Sequence, residues 1–123
     1  MKRALLLGLV LLASCATASR FTDLPMQKRG QHTQYAVEDT EGGFTLYVTY
    51  RRYQFIPESS AVDAAATSEL LALAHDIAAE RGKELKPINE QRIRKSMGRN
   101  GFSGITSWSG TVTVNFADNS KGP

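Results

Sequence analysis

Phe44-Thr45-Leu46-Tyr47-Val48-Thr49-Tyr50, followed beyond Pro57 by the run from Ser60 to Arg81, decides the fold. In the first stretch Phe44, Leu46, Val48 and Tyr50 fall on one side and Thr45, Tyr47 and Thr49 on the other, the period-two pattern of a half-buried strand. In the second, Val62, Ala66, Leu70, Leu73 and Ile77, with Ala65 and Ala74 beside them, recur at three- and four-residue spacing and form one apolar stripe on a helix. A strand with one wet face, joined to a helix with one dry face, predicts a helix packed on a single side of an antiparallel sheet.

The flanks extend this reading. Arg51-Arg52 interrupts the alternation and Tyr53 and Phe55 take up the opposite parity, which predicts a bulge. Pro57 ends the strand. Ser59 and Ser60 are candidate N-caps, Glu58 and Asp63 place negative charge at the helix start, and Gly82 stands where a C-terminal cap belongs, so the helix is predicted over 60–81. Upstream, Gln34 to Glu38 reads as a first strand and Asp39-Thr40-Glu41-Gly42-Gly43 as the turn that follows it. Downstream, Ile88 to Met97 reads either as a polar strand, with Ile93 and Met97 sharing a parity, or as a short helix opened by Pro87. Asn100-Gly101 is a hairpin signal. Phe102 to Phe116 then forms a long strand with Trp108, Val112, Val114 and Phe116 inward and Ser107, Ser109, Thr111 and Thr113 solvated. The expected architecture is a two-layer α+β sandwich, a four-stranded antiparallel sheet with one helix on one face in the order β-β-α-β-β.

The chain has 123 residues, 41% apolar and 22% charged, an ordinary globular composition for one modest core. Met1-Lys2-Arg3 is a short positive segment, and Ala4 to Ala13 is an apolar run of the length of a signal-peptide core. It is too short to cross a bilayer, which takes about 20 apolar residues. Lys2 and Arg3 belong to that leader, so 13 of the 15 Lys and Arg remain against 12 Asp and Glu, a balance that gives no support to nucleic-acid binding. The single cysteine, Cys15, permits no disulfide within the chain.

Leu12-Ala13-Ser14-Cys15 resembles the lipobox of bacterial lipoproteins, with leucine three before the cysteine and small residues between. The resemblance implies cleavage before Cys15, diacylglycerol on its thiol and acylation of the new amino group. Several chains would then hold the protein firmly, at about 0.8 kcal/mol per buried methylene. Ala16 in place of an aspartate after the cysteine implies the outer membrane, facing the periplasm. The alternative is ordinary secretion, since Ala16-Thr17-Ala18 fits the general signal peptidase and would release a chain beginning at Ser19. The domain behind the anchor is similar to small envelope lipoproteins of unassigned function, a likeness silent on mechanism. The predicted organisation is a signal peptide at 1–14, a lipidated cysteine and flexible tether at 15–32, one domain at 33–117 and a tail at 118–123.

Catalytic groups are scarce. His75 has Leu71, Ala72, Ala78 and Ala79 as its helical neighbours and His32 has no partner at a ligand spacing, so no metal site and no cofactor are expected. The serines form no Gly-x-Ser-x-Gly elbow, and Gly98, Gly101 and Gly104 read as turn residues between strands, not as a phosphate loop. Charge is the uneven feature. Residues 58–81 carry a net −4 and residues 83–99 a net +4. Arg92 and Arg94, two apart on a strand, would share a face and could form an anion-binding strip with Arg51 or Arg52, for a phosphate-bearing lipid or an acidic envelope protein. The preferred reading is a solvated sheet face whose charges keep exposed strand edges from pairing. The expected function is a non-enzymatic binding or scaffold module. Its alternative is a small-ligand binder or enzyme with a pocket between helix and sheet, lined by Tyr47, Tyr50, Tyr53 and Trp108.

Overall fold

A computed structural model describes residues 21–54, 56 and 58–117. The predicted signal peptide, Cys15 and the tail at 118–123 lie outside the described residues, as do Phe55 and Pro57. The domain is α+β, with strands β1 (Gln27–Arg29), β2 (Thr33–Thr40) and β3 (Gly43–Tyr53), helix α1 (Ser59–Glu80), a single 3₁₀ turn (Glu90–Arg92), and strands β4 (Arg94–Arg99) and β5 (Ile105–Asn115). All neighbours are antiparallel, in the order β1-β2-β3-β5-β4.

The two long strands make the centre. Eleven residues of β3 face eleven of β5, from Gly43 opposite Asn115 to Tyr53 opposite Ile105, without a skipped residue. The predicted bulge at Arg51-Arg52 is therefore not formed. Tyr53 keeps the parity of Thr45, Tyr47 and Thr49 and remains on the face away from the helix, 61% exposed. Across the sheet, Phe44, Leu46, Val48 and Tyr50 of β3 and Trp108, Val112 and Val114 of β5 pack with Val62, Ala66, Leu70, Leu73, Ala74 and Ile77 of α1. The helix runs one residue earlier than predicted, and Glu58, not a serine, precedes its first turn without a side-chain cap. Its C-terminus matches expectation: Gly82, at φ +69°, allows the amides of Gly82 and Lys83 to turn back onto Ala79 and Ala78.

The sheet has five strands where four were expected. The extra strand, Gln27–Arg29, lies inside the stretch read as tether and pairs with Thr33 to Tyr35. Arg29 holds it down. Its guanidinium reaches Glu69 at 2.9 Å and Asp76 at 2.7 Å, two carboxylates seven residues apart on one side of α1. These hydrogen bonds hold Arg29 still more firmly protonated than usual, and they pair two of the carboxylates that make residues 58–81 net negative.

Ser107, Ser109 and Thr111 point away from the helix yet are buried, while Thr113 is exposed as predicted. They are short side chains on a strand flanked by β3 and β4, where larger neighbours shade them. Polarity alone did not give their depth.

Trp108 carries a polar contact into the core. Its Nε1–H donates to Asp63 Oδ1 at 3.0 Å, and the Lys95 ammonium sits 3.0 Å from the same oxygen. Burial would raise the Asp63 carboxyl, but hydrogen bonds from Lys95 and Trp108 outweigh it and hold the carboxyl below its ordinary range. A depressed folded-state value contributes stability that is present above the unfolded carboxylate value, about 4, and is lost as pH falls through the lower one. Asp63→Asn is thus expected to flatten the acid limb of a melting-temperature profile measured from pH 6 to pH 2. An unchanged limb would show that other carboxylates set it.

Candidate functional site

The site begins with a mismatch at the edge of β5. After α1, Glu84 to Lys86 runs beside the end of β5: Lys86 N–H donates to Asn115 O at 2.9 Å, Ala117 N–H donates to Glu84 O at 2.8 Å, and Leu85 stands opposite Phe116. β4 resumes the pairing with Arg94 opposite Thr111. Between these anchors Pro87 to Ile93 must pass only Val112, Thr113 and Val114 of β5. The surplus residues arch off the edge. Pro87 has no N–H to give to a ladder, the Asn89 side chain accepts Gln91 N–H at 3.0 Å to open the 3₁₀ turn, and Ile93, 8% exposed, returns the chain to the core. Both readings of this stretch were partly right: a short helical turn follows Pro87, and the strand starts only at Arg94.

Under the arch, on the sheet face opposite α1, lies a cavity of about 650 Å³. Thr45, Tyr47, Thr111 and Thr113 form its floor, Lys86, Asn89, Arg92 and Arg94 its rim, and Phe21 one wall. Thr45 and Thr113 hydroxyls share a hydrogen bond of 2.8 Å. Tyr47 donates its hydroxyl to Glu38 at 3.0 Å; burial first, and that bond second, push its pKa up, so it stays a neutral phenol. The Arg94 guanidinium lies 5.1 Å from the centroid of the Phe21 ring, a cation–π contact. Among the described residues no carboxylate lines the cavity, and the ion pairs involve Arg29, Arg81 and Lys95, not Lys86, Arg92 or Arg94.

The four arginines expected to form one strip are divided. Arg92 and Arg94 meet at the cavity, though through the arch and not as neighbours on one strand. Arg51, opposite Ser107, is on the same sheet face but four residues farther along β5, about 13 Å at a strand's rise, and lines a separate hollow with Lys28 and His32. Arg52, one residue on, projects to the other side of the sheet. Lys86, Asn89 and the threonines are not singled out as site residues by the sequence, whereas Phe21 is a candidate to tuck against the domain in the alternative reading of residues 21–26 as a short edge strand. Lys86-Pro87 was the available signal, a cation placed where the ladder must break.

The pocket expected between helix and sheet gives way to packing there: Trp108 is fully buried and Tyr50 is 7% exposed, both within the core, while Tyr47 alone of the four predicted aromatics lines the cavity. His32 lies against the Tyr50 ring and His75 is exposed. Among the described residues no group of three or more His, Cys, Asp or Glu could hold a metal, and no helix is long and apolar enough to cross a membrane. Comparison with protein-family models, curated proteins and solved structures gives no match.

Proposed function

We propose that the chain is a lipid-anchored envelope protein, held at the outer membrane through Cys15 and facing the periplasm, whose domain is a non-enzymatic module that binds a phosphate-bearing group in the cavity beneath the arch. The observation that carries the binding reading is the rim itself: Lys86, Arg92 and Arg94 converge on a concave site with no carboxylate among its described lining residues. Arginine offers a planar fork to phosphate oxygens and lysine a mobile point charge. The volume suits a headgroup-sized ligand, within the usual range of small-molecule sites, better than an extended acidic protein surface. Threonine hydroxyls, amides and a neutral phenol supply hydrogen bonds but no general base at neutral pH, which favours binding over turnover.

The charge reversal Arg92→Glu/Arg94→Glu removes two charge-assisted contacts of about 1.5–3 kcal/mol each, so affinity for glycerol phosphate measured by calorimetry is expected to fall about a hundredfold or more. Both side chains are exposed, so the melting temperature of the unliganded protein should hold. Lys28→Glu, at an exposed cation on β1 outside the cavity, is the control. An equal loss there would assign the effect to general charge and sink the cavity as the site.

Anchoring rests on Leu12-Ala13-Ser14-Cys15. Intact mass of the protein from bacterial membranes should show a chain starting at Cys15 with acyl mass, absent in Cys15→Ala. An unmodified chain starting at Ser19 would overturn the anchored part of the proposal and leave the cavity to a soluble periplasmic protein.

A further inference from the structure

The exposed large apolar side chains among the described residues are not scattered. Tyr53, Ile56, Met97, Phe102 and Ile105 are 61%, 70%, 37%, 105% and 36% exposed, and all belong to one end of the sheet. Tyr53 closes β3 opposite Ile105, which opens β5; Met97 stands near the end of β4; Phe102 tips the β4–β5 loop; Ile56 lies in the connection to α1. This is the end away from the cavity.

That end is built, not frayed. Gln54 N–H donates to Gly104 O at 2.9 Å, its side-chain carbonyl accepts from Thr106 at 3.0 Å and from the Glu58 amide at 3.3 Å, and its backbone carbonyl accepts from Arg99 at 3.2 Å. One residue thus ties the ends of β3, β4 and β5 to the start of α1. In the loop, Asn100 Oδ1 accepts the amides of Phe102 and Ser103, which shapes the backbone on which the exposed Phe102 side chain stands. Tyr53, Met97, Phe102 and Ile105 are thus displayed on a hydrogen-bonded frame.

The surroundings state what they are displayed to. Arg51, Arg52 and Arg99 are exposed around this end, and Glu58 is the carboxylate among residues 51–58 and 97–106. The apolar side chains come from chain reversals and strand ends, so they form a projecting tip, where a protein partner needs a broad complementary patch, about 800 Å² a side. Aromatic and branched side chains with a collar of arginines match the headgroup region of an anionic bilayer, where rings sit at the acyl boundary and guanidinium groups meet lipid phosphates. We infer that this end of the sheet docks onto the surface of an anionic bilayer, inserting Phe102 and Ile56 while Arg51, Arg52 and Arg99 pair with headgroup phosphates. The contact is separate from the cavity and does not need the lipid at Cys15.

Hydrogen exchange followed by mass spectrometry tests it on the full chain, with phosphatidylcholine vesicles and with vesicles containing phosphatidylglycerol. Peptides covering 54–58 and 100–106 are expected to exchange about tenfold more slowly on the anionic vesicles alone, and Phe102→Ser/Ile56→Ser to abolish that protection. Both side chains are exposed, so the variant should melt with the wild type; Phe102→Ser alone is the milder version should the pair fail to fold. Absence of protection on anionic vesicles overturns the inference. So does equal protection on both vesicle types, which would reflect tethering alone, and so does protection that grows with protein concentration at fixed lipid, which would make the tip a contact between copies of this chain.

Discussion

Trp108→Ala is expected to lower the unfolding free energy by about 4 kcal/mol, enough to bring a small domain near the edge of folding. The indole is the largest fully buried side chain of the domain and stands on a central strand, so the space it leaves is bounded by both β3 and α1. Collapse into that space would have to bend the sheet. The substitution also strips Asp63 of one hydrogen-bond donor, leaving Lys95 and Thr67 to hold the carboxylate. Urea unfolding should show a lower midpoint with an unchanged slope, and a loss below about 1 kcal/mol would mean that the helix settles into the vacated volume.

The second large effect comes from adding a single carbon. A Cβ on Gly110 would lie 2.2 Å from Cη2 of Trp108 and 2.7 Å from Cζ3, because the indole lies along its own strand over the glycine two residues on. The ring is wholly buried, so it has nowhere to move. Gly110→Ala is therefore expected to cost about 3 kcal/mol, at the upper end of overpacking effects. In an ordinary strand position the same change would be favourable by about 0.4–1 kcal/mol, through the lost freedom of the unfolded chain. The contrast makes a sharp test. In the Trp108→Ala background Gly110→Ala should become neutral or stabilising, giving a coupling energy of about 3 kcal/mol from the four urea curves. Additive losses would show that the backbone at Gly110, not the indole, sets the requirement.

How much of this was legible beforehand depends on the range of the determining contact. The alternation from Phe44 to Tyr50 and the stripe from Val62 to Ile77 are local periodicities, and both faces came out as read. Tyr53 misled because an aromatic side chain was taken as evidence of an inward direction, whereas the ladder with β5 runs on unbroken and leaves the ring outside. Gln27–Arg29 has no pattern of its own; it is a strand because Thr33 to Tyr35 offers an edge and because Glu69 and Asp76, some forty residues on in sequence, receive Arg29. At the cavity, Arg92 and Arg94 do come together, but through the arch and not as neighbours on one strand. Lys86 joins them only because the ladder is interrupted and resumed four positions out of step, a relation between Leu85 opposite Phe116 and Arg94 opposite Thr111 that no single segment contains.

That offset separates two things that most sheets keep coupled. Lengthening a strand by one residue reverses every side chain beyond it, so insertions in a ladder are punished at once. Between Lys86 and Arg94 the chain is clamped at both ends but bears no register of its own, and residues can be gained or lost there while β3 and β5 stay in step. The arch is thus free to diverge in length, and lineages descended from one ancestral sheet could come to differ in the size and mouth of this cavity by rewriting this segment alone.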